Sequence, residues 1–251
     1  MSELARRALA CLDLTSLNDG DDEAAIAKLC ARARTKHGDV AAVCLWPKFV
    51  AQAKAALAQT GVKIATVVNF PGGLEPAADV VAMTKTALAD GADEIDLVFP
   101  YKRWLRGEKV PAVTVVARVR EACGNATLKV IVESGAFPAL DKLDRACGEI
   151  VEAGADFLKT STGKIEIGAT PDAARVLLEV AARNPYRDVG VKISGGVRTL
   201  ADAATYLAFA DELRGPDWAT PATFRFGASG LLDALLADLD GAAAPIPAKG
   251  Y

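Results

Sequence analysis

The sequence predicts a single (β/α)8 barrel, the TIM-barrel form of the α/β class, on three observations. Short β-branched runs recur at intervals of roughly thirty residues. Alanine-rich stretches with helical periodicity separate them. No composition break, charge block or flexible linker divides residues 1–240, which are assigned to one domain, and residues 241–251, without periodic pattern, are expected to form a flexible C-terminal tail.

The runs fall at residues 10–14, 40–45, 63–68, 94–98, 129–132, 157–160, 190–193 and 224–226. Each is short enough for a barrel strand, and the third, KIATVV, is rich in the β-branched residues that strands favour. Helices are marked at 79–89 and at 171–182, where Thr170 followed by Pro171 has the form of an N-cap with proline in the first turn. Eight such units closing on themselves make a barrel.

Composition narrows the function. The chain has 251 residues, 51% hydrophobic and 24% charged, which suits one globular domain with a sizeable core. Its 29 basic and 32 acidic residues give a net charge of −3, so no nucleic-acid partner is expected. The five cysteines, Cys11, Cys30, Cys44, Cys123 and Cys147, are scattered without a C-x-x-C pair and indicate reduced thiols in a cytosol. No apolar stretch reaches the roughly 18 residues that would span a membrane, so a soluble cytoplasmic protein is expected. The one histidine, His37, lies in a polar segment resembling the end of a surface helix. A histidine-ligated metal centre lacks its ligands, and a Ser-His-Asp triad would have to use this residue.

Charges interrupt strands that should be apolar. Strand four carries Glu94 and Asp96, strand five Lys129 and Glu133, strand six Asp156 and Lys159, and strand seven Lys192. Buried unpaired ions are very unfavourable, so these groups must compensate one another or face a water-filled mouth. Active sites of this fold lie at the C-terminal ends of the strands. Adjacent strands lie about 4.8 Å apart, so Lys159 and Lys192 can approach each other, and proximity with burial favours a neutral amine able to attack a carbonyl. The iminium so formed is an electron sink for carbon–carbon cleavage, with Asp96, through water, as the proton carrier.

Two glycine loops follow strands seven and eight: Ser194-Gly195-Gly196-Val197-Arg198 and Phe226-Gly227-Ala228-Ser229-Gly230. Phosphate-binding barrels use these two loops. A Walker loop and a G-x-S-x-G elbow are both excluded by spacing.

Several stretches together resemble the deoxyribose-phosphate aldolases: Asp13-Leu14-Thr15, Asn69-Phe70-Pro71, Glu94 to Tyr101, Phe157-Leu158-Lys159-Thr160-Ser161-Thr162-Gly163-Lys164, Lys192 before Gly195-Gly196-Val197-Arg198-Thr199, and Phe224 to Ser229. The resemblance runs from about residue 9 to 236. It implies class I, Schiff-base cleavage of 2-deoxy-D-ribose 5-phosphate to acetaldehyde and D-glyceraldehyde 3-phosphate, a step of deoxyribonucleotide catabolism, with no metal or organic cofactor. It implies further that Lys159 forms the Schiff base, Lys192 tunes it and Asp96 transfers protons. Lys164, Gly195, Gly196 and Ser229 would hold the phosphate, while Asp13, Thr15, Lys129 and Thr162 would line the pocket. A C-terminal tyrosine, here Tyr251, would assist proton exchange, and members are often homodimers.

The chain departs from the family pattern at Ser194, where alanine is frequent, at Gly230, where a second serine is frequent, and at Gly72, where histidine is frequent. Gly230 removes one hydroxyl donor for phosphate, and Ser194 is a candidate substitute. Three other readings stay open: an aldolase for another aldehyde pair, a sugar-phosphate isomerase, and a non-catalytic sugar-phosphate sensor. Retention of Lys159, Lys192 and Asp96 together speaks against the sensor.

Overall fold

A strand three to six residues long cannot bury its own faces, and these strands do so by pairing edge to edge until no edge is left. The computed structural model describes residues 2–243. In it the strands are β1 Leu12–Thr15, β2 Ala42–Leu45, β3 Lys63–Val68, β4 Glu94–Val98, β5 Thr127–Ile131, β6 Phe157–Lys159, β7 Gly190–Ser194 and β8 Phe224–Ala228. All pair in parallel with their neighbours in sequence, and β8 closes on β1 with Leu12 opposite Phe226 and Asp13 opposite Gly227. The predicted (β/α)8 barrel is the fold observed, with half of the strand ends shifted by one or two residues and the rest as predicted.

The first shift has a simple cause. A helix, Glu3–Ala10, capped by the Ser2 hydroxyl, precedes β1 and takes up the start of the predicted run. The segment around His37 differs in kind. Its helix ends at Arg32, and Arg34–Thr35 pairs with Gly38–Asp39 as a small antiparallel hairpin. His37 is accordingly half-buried, with Nε2 2.6 Å from Asp240 Oδ1.

The main hydrophobic core lies between the outer face of the strands and the helices. Helix Pro171–Ala182 begins as predicted, the Thr170 hydroxyl accepting from the Ala173 amide at 3.2 Å, and buries Ala173, Ala174, Leu177, Leu178 and Ala181. Helix Leu200–Arg214 starts with a capping box of Thr199 and Asp202, which fixes the turn leaving β7. Inside the barrel, β2 and β3 contribute only small apolar groups, Ala42, Cys44, Ala65 and Val67, packed with Leu17. The opposite side of the interior is charged.

Two non-glycine residues adopt left-handed backbone at strand ends, Asn69 (φ 57°) after β3 and Glu133 (φ 58°) after β5. Such conformations persist only where surrounding contacts hold them. Asn69 donates to the Val98 carbonyl and accepts from the Glu75 amide, both at 2.9 Å, and Glu133 is held by Thr162. Among the described residues no helix is long and apolar enough to cross a membrane.

Candidate active site

The strand charges compensate one another inside the barrel. Ion pairs join Asp13 on β1, Glu94 and Asp96 on β4, Lys129 on β5, Lys159 on β6, Lys192 on β7 and Arg225 on β8, all buried. Register brings them together. Asp96 lies opposite Lys129, and Lys192 lies between Lys159 and Arg225 on the two flanking strands.

Arg225 sits lowest, donating to the Pro221 carbonyl, to Asp13 Oδ1 at 2.5 Å and to Glu94 Oε1 at 2.8 Å. Lys129 bridges Glu94 and Asp96, the latter at 3.1 Å. Lys192 holds Asp13 Oδ2 at 2.5 Å and Asp96 Oδ2 at 2.8 Å. Lys159 ends β6 and touches one carboxylate oxygen, Asp96 Oδ2, at 2.8 Å. Lys192 stands in the middle of β7 rather than at its end.

Four cations face three carboxylates in this network, an excess of one positive charge in a site shielded from water. Burial alone would raise the pKa of Asp96, but Lys129, Lys159 and Lys192 outweigh it and hold the acid well below the ordinary carboxylate range. Asp13 behaves alike, with Arg225 as its leading cation. For Lys192 burial would favour the neutral amine, yet Asp13 and Asp96 win and raise it well above its usual value. Lys192 is therefore the charged neighbour of Lys159, because two carboxylates grip it. Cys44 lies against the same acid, its Sγ 3.9 Å from Asp96 Oδ2, and burial pushes its thiol up.

Above this network the loop after β6 folds over the mouth. Thr162 donates both its amide, at 3.1 Å, and its hydroxyl, at 2.5 Å, to Glu133, so that hydroxyl is already engaged. Burial raises the Glu133 carboxyl above its ordinary range even against these bonds. Lys164 reaches across to β1's loop and donates to the Leu17 carbonyl at 2.7 Å. The loop is threaded tightly: a Cβ on Gly168 would fall 2.5 Å from the Gly195 carbonyl oxygen. Gly195 and Gly196 both take positive φ, 85° and 94°, in the turn leaving β7, and half-buried Ser229 leads from β8 into helix Leu231–Leu239.

Of the residues singled out in the sequence, Asp13, Asp96, Lys129, Lys159 and Lys192 thus meet in one network. Lys164, Thr162, Gly195, Gly196 and Ser229 belong to the loops after β6, β7 and β8. Thr15 is buried on β1 but spends its hydroxyl on its own strand, donating to the Asp13 carbonyl at 2.9 Å. Tyr251 lies outside the described residues. Asp156 is a surface group, capping the Leu128 amide and paired with Arg120.

A model of the DeoC/LacD family of aldolases matches residues 7–236. The chain belongs to this family. It is 46% identical to a deoxyribose-phosphate aldolase of Agrobacterium fabrum over 99% of this chain and 96% of that one. Its fold is similar to that of a Toxoplasma gondii protein provisionally assigned as the same aldolase, with a TM-score of 0.85 at 26% identity over 96% and 95% of the two chains. It is also similar to a tetrameric deoxyribose phosphate aldolase of Aeropyrum pernix, with a TM-score of 0.77 at 26% identity over 94% and 92%.

Within this DeoC/LacD aldolase, three buried charges were not assigned a site role from sequence: Arg225, Glu94 and Glu133. The first two had a usable signal. Arg225 is a charge set between Phe224 and Phe226 in an otherwise apolar run, and Glu94 shares a strand face with Asp96 two positions on.

Proposed function

We propose that this chain reversibly cleaves 2-deoxy-D-ribose 5-phosphate to acetaldehyde and D-glyceraldehyde 3-phosphate through a Schiff base on Lys159. The observation that carries this reading is the charge count at Asp96. Four cations share three carboxylates there, and Lys159, at the end of β6, touches one carboxylate, against two or more for Lys129, Lys192 and Arg225.

The free amine attacks C1 of the open-chain sugar, and loss of water leaves an iminium. The C2–C3 bond then breaks as the C3 hydroxyl loses its proton, releasing glyceraldehyde 3-phosphate and leaving the enamine of acetaldehyde. Protonation at C2 and hydrolysis return the amine. Asp96, surrounded by ammonium groups, holds a proton weakly, which suits a relay working with water rather than a store. Lys192 stays charged and stabilises negative charge developing on oxygen. Lys164, the amides of Gly195 and Gly196, and Ser229 hold the phosphate, and Asp13, Thr15, Lys129 and Thr162 shape the pocket.

A cytoplasmic location and a homodimer complete the proposal. Support comes from the scattered thiols for the first, and for the second from family resemblance and the tetrameric relative. Tyr251 is assigned a part in proton exchange on the same resemblance. Deleting residues 249–251 should slow deuterium exchange into acetaldehyde more than it weakens substrate binding.

The deciding experiment is borohydride reduction in the presence of acetaldehyde, followed by peptide mass spectrometry. The adduct should map to Lys159 and vanish in Lys159→Ala. An adduct on Lys192 would reverse the two roles, and no adduct on either lysine would remove Schiff-base chemistry.

A further inference from the structure

The last residue of β7, Ser194, stands two positions beyond Lys192 and therefore shares its strand face, directed into the barrel. Its side chain is fully buried, and its Oγ has no hydrogen-bond partner among the described residues. An unpaired buried hydroxyl is unfavourable in a folded protein. The slot it occupies is made by Gly227, opposite it on β8. A Cβ placed there would fall 2.2 Å from Ser194 Oγ and 2.9 Å from Lys192 Cε, so the hydroxyl and the Lys192 stem lie side by side in space that only glycine leaves open. The backbone beneath is fixed, because the Thr160 hydroxyl accepts from the Ser194 amide at 2.9 Å and donates to its carbonyl at 3.0 Å.

This placement separates Ser194 from the phosphate role that the missing serine at residue 230 suggested. Along the interior face of β7 the order is Lys192, then Ser194, then the Gly195-Gly196 turn, with about 3.3 Å of rise per residue. Under the function proposed above, on which this step rests, the substrate lies in the same order: reacting carbons beside Lys159 and Lys192, phosphate at the glycine turn. The C3 oxygen is the one whose proton moves, beside Asp96 and Lys192. The next polar group toward the phosphate is the C4 hydroxyl.

We propose that Ser194 is a specificity-determining residue whose hydroxyl hydrogen-bonds the C4 hydroxyl of the sugar, which is the C2 hydroxyl of the aldehyde acceptor in the synthetic direction. The substrate class it selects is a 2-hydroxyaldehyde phosphate. The same contact discriminates against acceptors with a methylene at that carbon, since they leave the buried serine unpaired.

The test compares addition of acetaldehyde to D-glyceraldehyde 3-phosphate and to 3-oxopropyl phosphate, which lacks only the C2 hydroxyl. In wild type kcat/KM favours the hydroxylated acceptor, and in Ser194→Ala that preference falls by roughly three- to tenfold, the worth of one neutral hydrogen bond. The melting temperature of the variant, without ligand, should equal or exceed that of wild type, because an unpaired buried group has been removed. A fall in melting temperature with equal rate losses on both acceptors makes the hydroxyl structural and overturns the proposal. So does an unchanged preference in an active variant. Borohydride trapping with acetaldehyde alone separates the two layers: if wild type forms no adduct, the aldolase reading fails and takes this inference with it, whereas a normal adduct with an unchanged preference sinks the Ser194 assignment alone.

Discussion

Lys159 and Lys192 meet on a single atom, Asp96 Oδ2, each at 2.8 Å. The two amines are not equivalent there. Lys192 has a second anchor in Asp13 Oδ2, while Lys159 has Asp96 alone. One carboxylate oxygen thus holds both amines, and the less well-held one is at a strand end, next to the mouth. The proposed division of labour, Lys159 as nucleophile and Lys192 as its charged neighbour, rests on this asymmetry rather than on the lysines themselves.

Replacing Lys192 tests it. In Lys192→Leu the charge beside Lys159 is gone, and the acid limb of the pH–rate profile should move upward. The rate at neutral pH should fall by roughly a hundredfold or more, the usual scale for losing a preorganised charge. Stability should fall too, by about 3–5 kcal/mol, because Asp13 and Asp96 lose a buried partner. Rates measured from pH 5 to 10, with urea unfolding alongside, separate the effects. An unmoved profile would take Lys192 out of the chemistry.

The lower end of the network predicts strong coupling. Arg225 pairs with both Asp13 and Glu94, so Arg225→Met leaves two carboxylates facing fewer cations and should lose about 3–5 kcal/mol. Adding Glu94→Gln removes one of the stranded charges. The double variant should then be more stable than the sum of the single losses implies, by roughly 0.5–3 kcal/mol in a denaturation cycle. Additive losses would mean that the two side chains do not act as a pair.

Sequence reasoning reached the barrel and its central lysines because both leave periodic marks. Strands announce themselves as short β-branched apolar runs, and a lysine at residue 159 or 192 interrupts such a run with a charge that needs a partner. The partners were harder to read. Glu94 and Arg225 are far apart in sequence and meet only when β8 closes on β1 and the interior fills, which is a property of register, not of local pattern. Glu133 was hidden for another reason: its role depends on a left-handed backbone that positions its carboxylate under Thr162, and nothing in the run KVIVE signals that turn. The hairpin at Arg34–Asp39 carries Lys36 and His37 against Asp240, at the end of the last helix, a contact equally invisible to a local window.

The buried acids predict opposite responses to pH. Asp13 and Asp96 are depressed in the folded state, so their stabilisation is present above the ordinary aspartate value of about 3.9 and is lost as pH falls through their folded values. Glu133 is raised by burial, so its sign reverses: the folded protein is favoured below the ordinary glutamate value of about 4.3, and that advantage is lost as pH rises through the folded value. Measured from pH 4 to 7, the unfolding free energy of wild type should fall relative to that of Glu133→Gln. A wild type that gains on the variant toward neutral pH would contradict the assigned direction.

Lys164 offers the last test, and it concerns the choice between phosphorylated and free sugar. Its ammonium group crosses the mouth to the Leu17 carbonyl at 2.7 Å, on the loop that Gly168 packs against the Gly195 turn. An incoming phosphate at that turn offers a charged acceptor, and a charge-assisted bond to it is stronger than the bond to a neutral carbonyl. Lys164 should therefore exchange Leu17 for phosphate on binding, a transfer that benefits 2-deoxyribose 5-phosphate and not 2-deoxyribose. With Gly230 supplying no hydroxyl, the phosphate should depend more heavily on this one cation. Lys164→Ala should raise KM for the phosphorylated sugar by roughly tenfold or more while leaving KM for the free sugar little changed. Raising ionic strength should weaken the wild-type preference and leave the variant flat, since a charge contact made by the exposed Lys164 is screened. Equal KM increases for both sugars would show instead that Lys164 shapes the mouth through Leu17, and the phosphate would then rest on the backbone amides of Gly195 and Gly196 with Ser229.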